Sequence, residues 1–179
     1  MERLRTILQW IMKKFILFNI GGMVYYTLEV LWRGYSHWTM YCLAGLCFLI
    51  IGELNEGFEY EDPLVYQMVS GALIITFMEF MFGVLLNIIL GLHIWDYSDM
   101  PFNVLGQICL PFTVLWFFLS LVAIVADDYI RYLLFNEEEP HYIFFGRNDY
   151  YDDYYDEDEE YDNYDDIDMS KEKEDTSDE

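Results

Sequence analysis

Residues 108–128 read ICLPFTVLWFFLSLVAIVADD. From Ile108 to Ala126 there is no charged side chain, and then two aspartates follow at once. A surface helix of a soluble protein is apolar along one stripe and charged on the opposite face. Here the apolar character runs all the way round. A hydrocarbon layer about 30 Å thick takes roughly 20 mostly apolar residues in helical form. Helices and closed barrels are the two structures that satisfy their own backbone in lipid. Barrel strands alternate in polarity, which this stretch does not. It reads as a membrane-spanning helix that stops at Asp127 and Asp128.

Working outward, the same reading applies at three earlier places and gives four spans: about 15–32, 38–54, 64–92 and 104–126. The expected fold is all-α, a polytopic bundle of about four transmembrane helices. Before it comes a basic flank, 1–14, holding Arg3, Arg5, Lys13 and Lys14. No small-x-small cleavage site follows, so the first span reads as an uncleaved anchor. After the bundle comes a segment of another character. The chain has 179 residues, a net charge of −23 and a mean hydropathy of +0.14. Residues 137–179 hold 20 acidic against three basic residues, a net charge of −17. Residues 150–166, YYDDYYDEDEEYDNYDD, are almost wholly Tyr, Asp and Glu. Such a composition builds no core, so 137–179 is expected to be a disordered acidic tail, or an arm for a basic partner or for divalent cations.

Lys and Arg set orientation. The N-terminal flank is basic, and Arg131 follows the fourth span. With four spans, both termini are expected in the cytoplasm and the protein in the cell membrane. Arg33 is the contrary residue, and Glu29 one turn back would pair with it.

Acids inside a membrane are costly, so they are paired or functional. Glu79 lies near the middle of the third span. Thr76, Gly83 and Asn87 stand at i−3, i+4 and i+8 from it, a polar and small-residue stripe that should face the bundle. Glu29 shares its face with Gly22, Tyr25 and Tyr26, and has Arg33 one turn on. The candidate intramembrane polar site is therefore Glu79, Thr76, Asn87, Glu29 and Arg33. For Glu79 the competing reading is a hydrogen-bonded strut between helices, protonated because desolvation disfavours the charged form; for Glu29 it is a helix-end ion pair. Gly45, Gly52 and Gly83 are expected to admit close helix packing. Asp127 and Arg131, at i and i+4, read as an exposed pair marking the membrane boundary, worth about 0.3–0.5 kcal/mol.

The connection at 91–106, GLHIWDYSDMPFNVLG, mixes aromatic and polar residues around Pro101, which forbids an unbroken helix. Trp and Tyr favour the headgroup level, so a short structured lid at the outer surface is expected. Cys42, Cys47 and Cys109 form no CxxC pair and read as small buried side chains. His37, His93 and His141 have no ligand spacing, so neither metal nor cofactor is expected. There is no GxxxxGK[ST] loop, no GxSxG and no HExxH. The chain supplies no P-loop ATPase of its own, and no basic patch suits nucleic acid.

WDYSDMPFNVLGQICL, residues 95–110, resembles the signature of the bacterial putative ABC-transporter type IV membrane proteins. Matching pieces are Trp95, Asp96, Tyr97 and Ser98, then Pro101 and Asn103, then Gly106 with Gln107, Ile108, Cys109 and Leu110. Glu29 with Arg33 and Gly34, and Glu79 with Gly83, also fit. Many relatives carry Arg where this chain has Gln107, and longer ones have a Gly-Pro-rich segment after the Arg-Gly. The resemblance implies a permease-like membrane subunit with no ATPase of its own. In that reading Glu79, Asn87 and Glu29 line a polar path capped by the lid. The four helices would work in the lipid bilayer as a homo-oligomer or beside another membrane subunit, with a separate ATPase as a possible partner. The alternative is an accessory or sensor protein whose acidic tail recruits a basic partner. A third reading is a membrane enzyme with Asp96 and Asp99 as acid–base groups; the expectation is that the chain is not an enzyme.

Overall fold

The computed structural model describes residues 2–58 and 62–144. Residues 145–179, most of the expected acidic tail, lie outside them. The described chain is all-helical apart from one isolated bridge between Val104 and Ile108. Helix α1 spans Glu2–Arg33, α2 Trp38–Asn55, α3 Leu64–Gly83 and α4 Leu110–Phe135. All four are long and apolar enough to cross a membrane.

The flank at 2–14 is helical and runs without a break into the first span. At the other end of α1, Gly34 takes φ +80° and its N–H closes on the Val30 carbonyl at 2.8 Å. That left-handed residue stops the helix. His37 then caps α2 by accepting from the Thr39 N–H. Helix α3 passes into a π-helical turn, Val84–Ile89. The third span is therefore not one uniform helix to Leu92.

The fourth helix begins at Leu110, not at Val104. Leu105 and Gly106 both have positive φ, and the Gln107 N–H bonds to the Val104 carbonyl at 3.0 Å. The residues 104–109 thus belong to the loop. Helix α4 ends where Asn136 takes φ +56° and its N–H returns to the Arg131 carbonyl.

Helices α1 and α2 pack along small residues: a Cβ on Gly45 would lie 2.7 Å from the Phe18 carbonyl oxygen. Helices α3 and α4 form the second close pair, with Gly71 against Ser120. Helix α2 touches both α3 and α4, while α1 and α4 barely meet. The outward surface is greasy: Trp32 is 89% exposed and Phe77 62%. Such side chains are suited to lipid, not water.

The bundle has two unlike ends. One gathers the start of the first span, the end of α2, the start of α3 and the end of α4. Residues 137–144, assigned to the tail from sequence, pack here instead. The Leu64 N–H bonds the Ile143 carbonyl at 2.8 Å, and the Tyr142 hydroxyl donates to Asp128 Oδ2 at 2.8 Å. The other end carries the long loop 90–109.

Candidate functional site

Glu79 is 3% exposed. Its third-span position places it inside the bundle, and two donors from different elements converge on it. The Trp116 Nε1–H of α4 bonds Oε2 at 2.9 Å, and the Tyr97 hydroxyl of the loop bonds Oε1 at 2.9 Å. Burial, and then the nearby Glu79 carboxyl, push the Tyr97 phenol well above its ordinary range, so it stays a donor. Among the described residues, no Lys, Arg or His forms an ion pair with Glu79.

Rings surround the carboxyl. Tyr97 stacks on Phe112 at 4.6 Å, Phe112 meets Trp116 at 6.0 Å, and Trp116 meets Tyr25 of α1 at 6.4 Å. Beside them lies a cavity of about 230 Å³, walled by α1 and α4 and floored by α2 and α3. Glu79, Tyr25 and Trp116 line it; most of the remaining wall is aliphatic. Its rim includes Val24, Leu28 and Val122, each more than half exposed. The cavity therefore opens sideways, in the seam where α1 and α4 barely meet.

The other members of the expected polar site have separate partners. Glu29 pairs with Arg33 and accepts from the Ser36 hydroxyl at 2.5 Å, an ion pair at the end of α1. Thr76 meets Thr113 of α4 at 3.3 Å. Asn87 holds the loop: its Nδ2 donates to the Trp95 carbonyl at 3.0 Å and to Gln107 Oε1 at 2.8 Å, and its Oδ1 accepts from the Ile94 N–H at 2.7 Å. The stripe does face inward, but Glu79, Asn87 and Glu29 share no bonded network.

The loop carries a surprise relative to the headgroup-level expectation. Trp95 is only 6% exposed, and its indole N–H donates to the Gln107 carbonyl at 2.9 Å. Tyr97 reaches inward to Glu79. The rest of the loop is bonded to itself. Asp96 Oδ1 accepts from the Ser98 hydroxyl at 2.5 Å and its N–H at 2.9 Å, and Asn103 Nδ2 donates to the Ser98 and Met100 carbonyls at 3.0 and 2.9 Å. The turn 97–100 is closed by the Met100 N–H, and Pro101 follows it on the surface. Gly106 needs its φ of +68°, and a Cβ there would lie 2.5 Å from Ser98 Oγ. Gln107 is buried over Gly83, where a Cβ would lie 2.7 Å from Gln107 Oε1. Gln107 is thus a neutral bracket between the loop and the third span.

The expected exposed pair needs correction. Asp127 and Arg131 are 1% and 2% exposed. Arg131 donates through Nε to Asp127 at 2.5 Å, through Nη1 to Glu56 at 3.0 Å and through Nη2 to Glu53 at 3.3 Å. Lys14 also pairs with Glu53, and Lys13 with Glu137. Gly52 lies directly against the Asp127 carboxylate, leaving no room for a side chain. Sequence reasoning missed this knot because its partners are far apart in the chain. The repeat of Glu53 and Glu56, one helical turn apart, is the trace it leaves.

A four-helix membrane bundle with a buried carboxyl, sealed at one end by a charge knot and at the other by a self-bonded loop, defines a polytopic α-helical membrane protein. The model of the family described as putative ABC-transporter type IV matches residues 16–136, and the chain belongs to that family. The match begins inside α1, covers the other three helices and the loop, and ends at the Asn136 cap. No curated protein and no solved structure matches the chain.

Proposed function

We propose that this chain is a permease-like membrane subunit of a transport system, with Glu79 as its internal binding group. The observation that carries the reading is a buried carboxyl, held by two neutral donors, at the edge of a cavity that opens between α1 and α4. Neither donor is a cation, so among the described residues the carboxyl has no charge partner built in. The polar path is a single site here, because Glu29 and Asn87 are engaged elsewhere. A hollow of this size does not make a channel across a bilayer, so transport requires a second copy or another membrane subunit. Any ATP drive comes from a separate chain. We place the protein in the cell membrane with both termini and the Arg131 knot on the cytoplasmic side, following the basic flank. We assign it no catalytic step.

The test is genetic and chemical. Cells lacking the gene are complemented with the wild-type chain, with Glu79→Gln, or with a chain ending at Phe144. Small-molecule pools inside and outside the cells are then compared. The transport reading expects the wild-type and shortened chains to restore the pools and Glu79→Gln to fail at equal membrane abundance. The opposite pattern, with the shortened chain failing and Glu79→Gln working, would replace it with an accessory protein acting through its acidic tail.

A further inference from the structure

We propose that the Glu79 cavity is a receptor for small hydrophobic organic cations; this deepens the permease reading and rests on it.

Three observations converge. First, the site holds a buried acid without a built-in cation. Each carboxylate oxygen offers about two acceptor positions, and Trp116 and Tyr97 take one on each. Acceptor capacity remains on a group that lines the cavity. Removing an ionised acid from water is costly unless a charge partner is supplied. Among the described residues the protein supplies none, in contrast to Asp127. Without one a buried carboxyl is kept neutral, and a bound cation would let it ionise and complete the pair.

Second, the walls suit such a cation. Tyr25 on α1 and Trp116 on α4 stand 6.4 Å apart, tilted by 48°, and both line the cavity with Glu79. Trp and Tyr attract ammonium groups through their ring quadrupoles, and quaternary ammonium ions are recognised in this way. A strongly hydrated metal ion or simple ammonium would gain little from the aliphatic remainder of the wall: Leu43, Ala44, Ile75 and Leu119. An organic cation with an apolar body uses both parts.

Third, the opening fits the same chemistry. The rim residues Val24, Leu28 and Val122 belong to the lipid-facing surface. A hydrophobic cation concentrates in the bilayer and reaches the seam sideways. An anion meets Glu79 unfavourably. A lipid acyl chain matches the aliphatic wall but makes no use of the carboxyl. At about 230 Å³ the cavity is below the usual range for drug-sized ligands, which selects small ones.

The probe is phenyltrimethylammonium, compared with its neutral isostere tert-butylbenzene. Both are titrated calorimetrically into the full chain in lipid nanodiscs, with empty nanodiscs subtracted. The expected result is saturable binding of the cation, at least tenfold tighter than the isostere. In Glu79→Gln the two affinities should fall within twofold of each other. Ala44→Phe fills the cavity without touching the two bonds to Glu79, and should abolish binding of both probes. Equal affinity for both probes in the wild-type chain would overturn the proposal and leave a site for acyl chains. Cation binding that survives Ala44→Phe would also overturn it, and this second variant serves if Glu79→Gln does not fold. The two readings fail separately. If the cellular pools depend on Glu79 but the cation does not bind, the ligand class is wrong and the permease role stands. If the cation binds but the pools are indifferent to Glu79, the receptor stands and the permease role falls.

Discussion

Asp127 and Glu79 are both sealed inside the bundle, at 1% and 3% exposure, yet their surroundings differ in kind. Asp127 lies against a guanidinium that reaches Glu53 and Glu56 as well, and Lys13 and Lys14 close the outer side. Glu79 has an indole, a phenol and an apolar hollow. A buried acid matched by a built-in cation is committed to structure, because removing either partner strands the other. One matched by neutral donors keeps its capacity for a charge that arrives from outside. On the proposed reading the Arg131 end is a clamp, and Glu79 is the acid whose charge partner comes and goes.

The comparison is broken most forcefully at the clamp. Arg131→Leu leaves Asp127 buried without its counter-charge, and removal of one member of a buried pair costs about 3–5 kcal/mol. We expect a loss of that order in a denaturant titration of the detergent-solubilised protein. The double variant Asp127→Leu with Arg131→Leu should recover most of it, because no buried charge is left unpaired and Glu53 and Glu56 are half exposed. If the single change is silent, the clamp is only a surface pair.

The loop is next. Gly106→Ala forces a side chain onto a φ of +68° and against Ser98 Oγ and Asp96 Oδ1. A non-glycine residue in such a region costs about 1–3 kcal/mol. Because the Tyr97 N–H bonds the Gly106 carbonyl at 2.7 Å, the strain is transmitted to the phenol that holds Glu79. We expect this variant to lower both thermal stability and probe binding, whereas Arg131→Leu with Asp127→Leu leaves probe binding intact.

Glu79→Gln sharpens the contrast by how little it does to the fold. Glutamine keeps one carbonyl acceptor and its length, so the change should cost about 1 kcal/mol, the net worth of one ordinary hydrogen bond. A loss as large as that of Arg131→Leu would mean that Glu79 is as structural as Asp127.

Much of the architecture could be read from local pattern. The uncharged run 108–126 needs no neighbour to declare itself a span, and the spacing of Glu29 and Arg33 already contains their ion pair. Glu79 could be placed facing the bundle because hydrocarbon gives a carboxyl nowhere else to point. What escaped the sequence depends on encounters between distant segments. Asp127 and Arg131 look like a surface pair until Glu53 and Glu56 arrive from 78 and 75 residues away. Trp95 and Tyr97 suit a headgroup belt equally well until Gln107 and Glu79 offer them partners inside. The step from helix to π turn at Val84 has no marker in the residues VLLNII. Residues 137–144 look like the opening of the acidic tail until Asp128, Lys13 and Leu64 give Tyr142, Glu137 and Ile143 a place on the body.

The smallest effect belongs to Asp96, which is exposed and tests the loop without touching either buried acid. The Ser98 hydroxyl, and then the Ser98 N–H, hold its carboxyl below the ordinary range, because both bonds favour the ionised form. The folded value is thus depressed relative to the unfolded one. The stabilisation is fully present above the unfolded pKa and is lost as pH falls through the folded value. Amide exchange at Ser98 should therefore keep its protection through neutral and mildly acidic pH. The protection should decline only below the usual carboxylate range. Ser98→Ala removes the larger of the two bonds, so protection should begin to fail at a higher pH while Glu79 and Arg131 keep their partners. If the exchange at Ser98 ignores pH in both proteins, the Asp96 turn is not what shapes this end of the loop, and Asn103 alone carries it.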